Sequence, residues 1–492
     1  MTDSLSEAKK TPFAHFYRVV WRWHFYAGLF VVPFMVLLSV TGIIYLFKPQ
    51  LDRLMYRNLM YVAPQSKPVE PSEQIASVRR VFPESRIVEF KEPAHPDRSS
   101  VVTVRTHDGR ELMIFVNPYT AKLLGLMDSE WNLQTIAVKL HGELMIGRAG
   151  DWLIELATSW GLVLLVTGVY LWWPRKSGKL WGVLLPRLQW KNQRVFWRDV
   201  HSVVGVYGVL VVAFLLLTGL PWAGFWGSYF VWLAGGYKAP QTQADPKSTI
   251  ATPDPHAAMF EPTSRAALLT GTLNTTAHKT VPWAAEPVPM PRSTPATGHE
   301  HHASAPTGQS PSVPATSRAI SLDDVVAVAR AKNVREGFSV TFPSDAEGVY
   351  TIAAPTDDPF RQATLHVDQY SGKVLSDVRW RDYGVAPKVT EMGIVLHEGV
   401  YFGLANQLLM LFGALTVILF AVSGTVMWWQ RRPAKTVGAP AMPSNFPLWK
   451  GAVAIILVMG LLFPMVGISL LAVLLLDYLV LSRLPRLKTI LG

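Results

Sequence analysis

Apolar residues gather into four long runs, Phe25–Phe47, Leu156–Trp173, Val203–Phe225 and Leu408–Trp429. At ~1.5 Å per residue, each is about long enough to cross ~30 Å of hydrocarbon as a helix. A fifth stretch, Gly451–Leu481, is too long for one span and is interrupted at Phe463-Pro464 and Gly467, which predicts a hairpin of two short spans. The polar segments between the runs carry shorter periods. Ser72–Val81 places Ile75, Val78 and Val81 on one side, the pattern of an amphipathic helix. Arg86–Phe90, Ser100–Arg105 and Leu112–Val116 read as strands, with His107-Asp108-Gly109 as a hairpin turn. The same order recurs later: a helix at Ser321–Ala331 capped by Ser321 with Asp323-Asp324 in its first turn, then strands at Gly337–Phe342, Val349–Ala353 and Gln362–Val367. Each small α+β segment is too short to hold a large core, so both are expected to pack on the membrane portion or on each other.

The membrane portion is itself duplicated. His24 is followed at +4 by Gly28 and at +17 by Thr41-Gly42; His201 is followed at the same offsets by Gly205 and Thr218-Gly219. His141 leads at +6, +27, +31/+32 and +34 to Gly147, Gly168, Trp172-Trp173 and Arg175, and His397 leads at those offsets to Gly403, Gly424, Trp428-Trp429 and Arg431. An ionisable residue kept beside hydrocarbon in both copies is a functional-site hypothesis by default. Neutral imidazole is also a good axial ligand for haem iron.

Half of the 492 residues are apolar and only 16% are charged, the composition of a polytopic membrane protein. Basic residues cluster before the first span (Lys9, Lys10, Arg18, Arg22), between the second and third (Arg175, Lys176, Lys179, Arg187, Lys191, Arg194, Arg198), after the fourth (Arg431, Arg432, Lys435) and at the end (Arg483, Arg486, Lys488). By the positive-inside rule these flanks and both termini are cytoplasmic, and the two large segments lie outside. The net charge of +11 is then mostly a topology signal, with no need of nucleic acid. The first span has no small-residue cleavage site after it and is expected to be an uncleaved anchor. The absence of cysteine excludes disulfides, Cys-ligated iron–sulfur clusters and covalent c-type haem attachment.

The spacing from His201 to His397 is 196 residues against 117 from His24 to His141, which marks an insertion of about 79 residues rich in Pro, Thr, Ala and Ser. Its composition cannot support a core, and its His299-Glu300-His301-His302 reads as part of a solvated linker. The expected divisions are 1–49 (N-terminus and first span), 50–130 (first outer domain), 131–175 (second span with an outer extension), 176–200 (basic loop), 201–230 (third span), 239–317 (linker), 318–385 (second outer domain), 386–430 (fourth span with an outer extension) and 448–482 (terminal hairpin). The fold class is a membrane all-α helical bundle with an internal repeat, carrying two small α+β domains.

The closing segments of the two outer domains, Val116-Asn117-Pro118-Tyr119-Thr120-Ala121-Lys122-Leu123-Leu124 and Val367-Asp368-Gln369-Tyr370-Ser371-Gly372-Lys373-Val374-Leu375, resemble the end of a PepSY domain. Trp23-His24 on the first span, and the Leu-His pairs at His141 and His397, resemble the PepSY-associated transmembrane family over nearly residues 15–435, apart from the linker. That resemblance implies a bacterial inner-membrane protein; members include haem proteins that reduce ferric siderophores on the periplasmic side and iron-regulated membrane proteins. Ala121 stands where the family usually has Gly.

Ligands to one iron must share a depth in the bilayer, so the expected pairs are His24 with His201 near the cytoplasmic face and His141 with His397 near the outer face, holding two b-type haems. Gly28, Gly205, Gly147 and Gly403 are candidates for close porphyrin approach, and Arg22, Arg198, Lys139 and Arg148 for propionate contact. Asp151 and Glu155 intervene between His141 and its span, so the outer pair is expected on protruding or bent helices, at a partly exposed rim. Ser39, Thr41, Thr167, Thr218 and Thr425 are expected in helix–helix hydrogen bonds, the tryptophan pairs in an interfacial belt, and His95, His107 and His366 at turns or surfaces. No G-x-G-x-x-G follows a strand, so electrons must come from a cytoplasmic partner or a quinol. The expected activity is reduction of a periplasmic ferric acceptor, which the resemblance implies is a ferric siderophore. Two other classes remain: a proton-coupled metal-ion transporter, disfavoured because the spans are expected to lack buried carboxylates and broken half-helices, and an anchored periplasmic sensor or protease-regulating module.

Overall fold

The computed structural model describes residues 12–174, 180–187, 191–233, 281–285, 290–293, 319–433, 437–438, 457–479 and 483. The chain folds as two units. Met1–Phe47, Ala137–Leu233 and Leu396–Gly492 form one, and Lys48–Ile136 with Ala234–Val395 the other. In chain order the helices are α1 (Pro12–Leu46), α2 (Lys48–Met55), α3 (Arg57–Met60), α4 (Pro71–Val81), α5 (Leu133–Glu143), α6 (Arg148–Trp172), α7 (Gln193–Gly219), α8 (Gly224–Leu233), α9 (Leu322–Ala331), α10 (Val385–His397), α11 (Leu404–Arg431) and α12 (Pro464–Leu479). The strands are β1 (Arg86–Lys91), β2 (Ser100–Arg105), β3 (Glu111–Val116), β4 (Leu123–Asp128), β5 (Ser339–Thr341), β6 (Val349–Ala353), β7 (Ala363–Asp368) and β8 (Val374–Arg379).

Among the described residues, four helical stretches in the first unit are long and apolar enough to cross a membrane: Phe16–Leu46, Arg148–Trp172, Gln193–Trp222 and Leu404–Arg431. Their main contacts run α1 to α6, α6 to α7, α7 to α11 and α11 back to α1. Equivalent helices of the two repeats therefore sit diagonally, α1 opposite α7 and α6 opposite α11. Val31, Met35, Ala157, Leu162, Val212, Leu216, Leu220 and Val417 fill the centre.

The helix α6 starts eight residues upstream of the apolar run predicted for it, because its two acidic side chains are satisfied inside the unit. Asp151 accepts from the backbone N–H of Gly224 (3.0 Å) and Glu155 accepts from that of Phe225 (3.0 Å). The two carboxylates thus cap the N-terminus of α8, where orphan N–H groups and the helix dipole favour negative charge. Both are buried, Glu155 at 1% exposure. This corrects the expectation that the spans lack buried carboxylates. At the matching place in the other repeat, ten residues after His397 as Asp151 is after His141, Gln407 instead donates to the last carbonyl of α1 (Leu46, 3.0 Å). Each repeat therefore satisfies a helix end of the other, the start of α8 by carboxylates and the end of α1 by an amide donor, each polar group matched to that end. Of the predicted terminal hairpin, residues 457–462 and α12 are described and helical. Here Trp160 donates to Ser469 (3.1 Å) and Trp226 to the Leu462 carbonyl (3.0 Å).

The second unit is built on one eight-stranded sheet, ordered β4-β3-β2-β1-β5-β6-β7-β8. Both halves have the strands predicted for them. They are joined by antiparallel pairing of β1 with β5 through Glu89–Thr341, Phe90–Val340 and Lys91–Ser339. One core serves both halves: Ile75 and Val78 from α4 and Leu322, Val325 and Val326 from α9 pack with Phe90, Val102, Ile114, Phe338, Ile352 and Leu365 from the strands. The two small domains expected from the sequence thus share one core, the solution open to segments too small to bury enough alone. Ser72 on α4 hydrogen-bonds Asp323 on α9 through both its backbone N–H and its hydroxyl, and Ser321 closes the predicted cap, accepting from Asp324 N at 3.1 Å. The two closing turns match, with left-handed φ of +53° at Ala121 and +70° at Gly372.

Two expectations for this unit change. His366 is buried at 5% exposure on β7, bonded across the sheet to Thr351 (3.1 Å), rather than at a turn or surface. Parts of the linker are seated rather than solvated: Ala284 donates its N–H to Glu391 (2.8 Å), and Ser293 is 3% exposed and accepts from Gln369 N (3.0 Å). His299, Glu300, His301 and His302 lie outside the described residues, as do Lys9, Lys10, Arg175, Lys176, Lys179, Lys435, Arg486 and Lys488.

Candidate functional site

Each of the four histidines is half-buried in the membrane unit and makes a side-chain hydrogen bond of the same kind. Nδ1 of His24 on α1 meets Thr167 Oγ1 on α6 at 2.8 Å. Nδ1 of His201 on α7 meets Ser423 Oγ on α11 at 2.8 Å. His141, at the end of α5, meets Thr41 Oγ1 on α1 at 3.0 Å, and His397, at the end of α10, meets Thr218 Oγ1 on α7 at 2.7 Å. The four contacts map onto one another under the internal repeat.

The hydroxyls also set the tautomer. Each donates its single proton to the carbonyl one helical turn back: Thr41 to Leu37 (2.7 Å), Thr167 to Val163 (2.8 Å), Thr218 to Phe214 (2.7 Å) and Ser423 to Leu419 (2.5 Å). With that hydrogen on the carbonyl, each hydroxyl offers the imidazole only an acceptor, an arrangement that favours a hydrogen on Nδ1 and a lone pair on Nε2. Metal-bound histidines are held in this way, one ring nitrogen donating to an acceptor that fixes the ring and raises its basicity.

A glycine follows each hydroxyl in the chain and lies beside the ring, at a distance where a Cβ would make ordinary van der Waals contact. A Cβ at Gly42 or Gly168 would meet Cε1 of His141 or His24 at 3.4 Å, and at Gly219 or Gly424 that of His397 or His201 at 3.8 Å. Around the rings, Trp222 packs edge-on against His397 (5.4 Å between centroids) and Phe420 against His201 (5.2 Å). His24 and His201 are close enough to interact electrostatically, as are His141 and His397. His24 and Thr41, at the two levels on α1, are separated by about 26 Å along the helix at ~1.5 Å per residue. The apolar layer containing Val31, Met35, Val212 and Leu216 lies between the levels.

The remaining sequence candidates divide. Gly147 and Gly403 are the N-caps of α6 and α11, with φ of +62° and +59°, a conformation that favours glycine. They break the chain between α5 and α6 and between α10 and α11, which brings His141 and His397 back onto α1 and α7. They turn the chain at these points, and a Cβ at either would meet no atom within 4 Å. At Gly28 a Cβ would meet no atom within 4 Å, whereas at Gly205 it would meet Phe420 at 3.3 Å. Among the cations, Arg198 pairs with Asp199 (2.9 Å), which also holds Arg187 (2.7 Å). Arg22 lies over Tyr26 (5.2 Å) and Arg148 over Trp152 (4.9 Å), while Lys139 sits on α5 two residues before His141.

Thr41, Thr167 and Thr218 were expected in helix–helix contacts, and their partners are the histidines. Ser423 escaped notice beside Thr425. The recoverable signal was the fourfold hydroxyl–glycine pair, Thr41-Gly42, Thr167-Gly168, Thr218-Gly219 and Ser423-Gly424. Among the described residues no group of three or more His, Cys, Asp or Glu is placed to hold a metal ion. A pair of axial imidazoles is the donor set that suits haem, whose porphyrin supplies the other four nitrogens.

Comparison with proteins of curated function gives no match. A family model described as PepSY-associated TM region matches residues 21–431, a span that takes in all four histidines and their hydroxyl partners. The chain therefore belongs to the PepSY-associated transmembrane family.

Proposed function

We propose that this protein carries electrons across a bacterial inner membrane to a ferric acceptor on the periplasmic side, most simply a ferric siderophore, and that it holds one b-type haem on His24 and His201 and a second on His141 and His397. The observation that carries the reading is the set of four Nδ1–hydroxyl bonds, which leave four Nε2 lone pairs in two pairs about 26 Å apart along α1. When bound, haem supplies one-electron Fe(III)/Fe(II) chemistry. The chain's own residues do the rest. The histidines bind, and the hydroxyls hold the tautomer and orient the rings. The apolar layer keeps water and ions from passing between the levels. Arg18, Arg22, Arg194 and Arg198 at the His24 end support a cytoplasmic placement of that end and of both termini. The reductant is then a cytoplasmic partner or a quinol.

The test is vectorial. Vesicles containing the haem-loaded protein, with a quinol enclosed, are supplied outside with a ferric hydroxamate and a ferrous-specific dye. Dye colour that appears with the wild type and is lost in both His24→Ala and His397→Ala supports the reading; equal rates in all three sink it.

The buried Asp151 and Glu155 favour a second reading, a proton-coupled metal-ion transporter. Their bonds to the start of α8 give them a structural task instead. Ferrous or zinc uptake by the same vesicles, abolished by Asp151→Asn, would revive it.

A further inference from the structure

The sheet unit contains a cavity of about 270 Å³ lined by Arg335, Arg361, Arg379, Arg381, Phe360 and Trp380. Two one-turn helices build its rim, Pro359–Arg361 and Trp380–Asp382, each presenting an aromatic ring followed by an arginine. The two rings sit 5.0 Å apart between centroids. Two of the arginines are already neutralised: Arg335 holds both oxygens of Asp357 (2.6 and 3.0 Å) and Arg379 both of Asp377 (2.7 and 3.2 Å). The other two are held less firmly or not at all: Arg381 makes a single long ion pair with Asp382 (3.7 Å) and 81% of its side chain is exposed, and Arg361 has no ion pair among the described residues. Gln362 also lines the cavity; it gives its Nε2 to Glu391 (2.8 Å), and its Oε1 is buried without a partner among the described residues.

The internal repeat shows that the fold does not require this chemistry. The closing strands β4 and β8 both begin four residues after the matched Tyr119 and Tyr370. In that register Arg379, Trp380 and Arg381 correspond to Asp128, Ser129 and Glu130. One half of the sheet therefore has two acids and a hydroxyl where the other has two arginines and an indole.

We propose that this cavity is a binding site for an aromatic dianion, a small molecule or one arm of a larger one carrying two anionic oxygens on a planar ring. Arg361 and Arg381 meet the two negative groups, guanidinium being suited to carboxylate and phosphate oxygens. Phe360 and Trp380 pack against the ring. The site rests on residues of the sheet unit alone and stands or falls separately from the redox reading.

The test is calorimetric titration of phthalate into the purified full-length protein at low ionic strength, with succinate as the dianion lacking a ring. Saturable phthalate binding is expected. It should weaken about 10-fold or more in Arg361→Ala and in Arg381→Ala, and about 3- to 10-fold in Trp380→Leu or on replacing phthalate by succinate. Arg292→Ala, an exposed arginine paired with Glu347 and outside the cavity lining, should leave binding unchanged. Absence of saturable phthalate binding overturns the proposal, as does binding indifferent to both arginine variants. Equal affinity for succinate and phthalate overturns its aromatic part.

Discussion

Replacing Thr218 by Val removes one oxygen and almost nothing else, since both side chains are β-branched and of similar shape. The oxygen removed accepts the Nδ1 hydrogen of His397 at 2.7 Å and passes its own hydrogen to Phe214 at 2.7 Å. A buried donor left without an acceptor costs about 1–3 kcal/mol. If His397 keeps its tautomer, that cost falls on the site whether or not a metal is bound. If the ring instead moves its hydrogen to Nε2, the lone pair that would bind iron is lost. Either way, haem affinity at the His141–His397 pair should fall about 10- to 100-fold, the usual consequence of deleting a partner behind a metal-bound histidine. Titration of haem into the apo-protein, followed by absorbance, measures the affinity, and ¹⁵N NMR of the histidine side chains reads the tautomer without haem. Thr218→Ser should restore both readouts, because Ser423 does the same work at its own position. The His24–His201 pair should be unaffected. Wild-type affinity and unchanged imidazole shifts in Thr218→Val would refute the argument, and so would failure of Thr218→Ser to differ from it.

Ala121 adopts φ +53° where the matching turn has Gly372, so Ala121→Gly should stabilise the sheet unit by about 1 kcal/mol, read as a higher thermal midpoint; an unchanged or lower midpoint contradicts the strain. Burial pushes His366 from 6.5 down to about 4. Between those pH values the unfolded chain binds a proton that the folded chain does not. Stability should therefore fall as pH drops through that window, by at most roughly 3 kcal/mol, and His366→Asn should flatten the slope in denaturant titrations of the sheet unit; an identical slope refutes the assignment. Glu155→Leu leaves the Phe225 N–H without its acceptor, at a cost of about 1–3 kcal/mol. Hydrogen exchange in α8 should speed up accordingly, and unaltered protection would show that the cap contributes nothing.

The spans, the repeat and most of the strands were legible because each rests on a local period: four apolar runs, matched offsets, and alternation in segments such as Ser100–Arg105. What escaped depends on contacts far apart in sequence. Pairing of β1 with β5 brings Phe90 to Val340, and no local pattern announces a strand whose partner lies beyond a long insertion. The histidines were legible as a repeated set, but the hydroxyl bonds join residues 100 to 222 positions apart, so Ser423 looked like any other small residue in a span. Asp151 and Glu155 were misplaced for the opposite reason. Their charge argued for an exposed rim, and the N-terminus of α8, which satisfies them inside the unit, follows a different span. Gly147 and Gly403 were noticed for their spacing, but a positive φ, unlike a missing side chain, is invisible until the chain is folded.

The central claim, two haems on two pairs of histidines, is tested most directly by counting haem. The protein is purified in detergent after expression with ample haem, and oxidised and dithionite-reduced spectra are recorded with a pyridine haemochrome assay. The account predicts two b haems per chain, with one lost in His24→Ala or His201→Ala and the other in His141→Ala or His397→Ala. A colourless wild-type protein, or a haem content that the four substitutions leave unchanged, would contradict it.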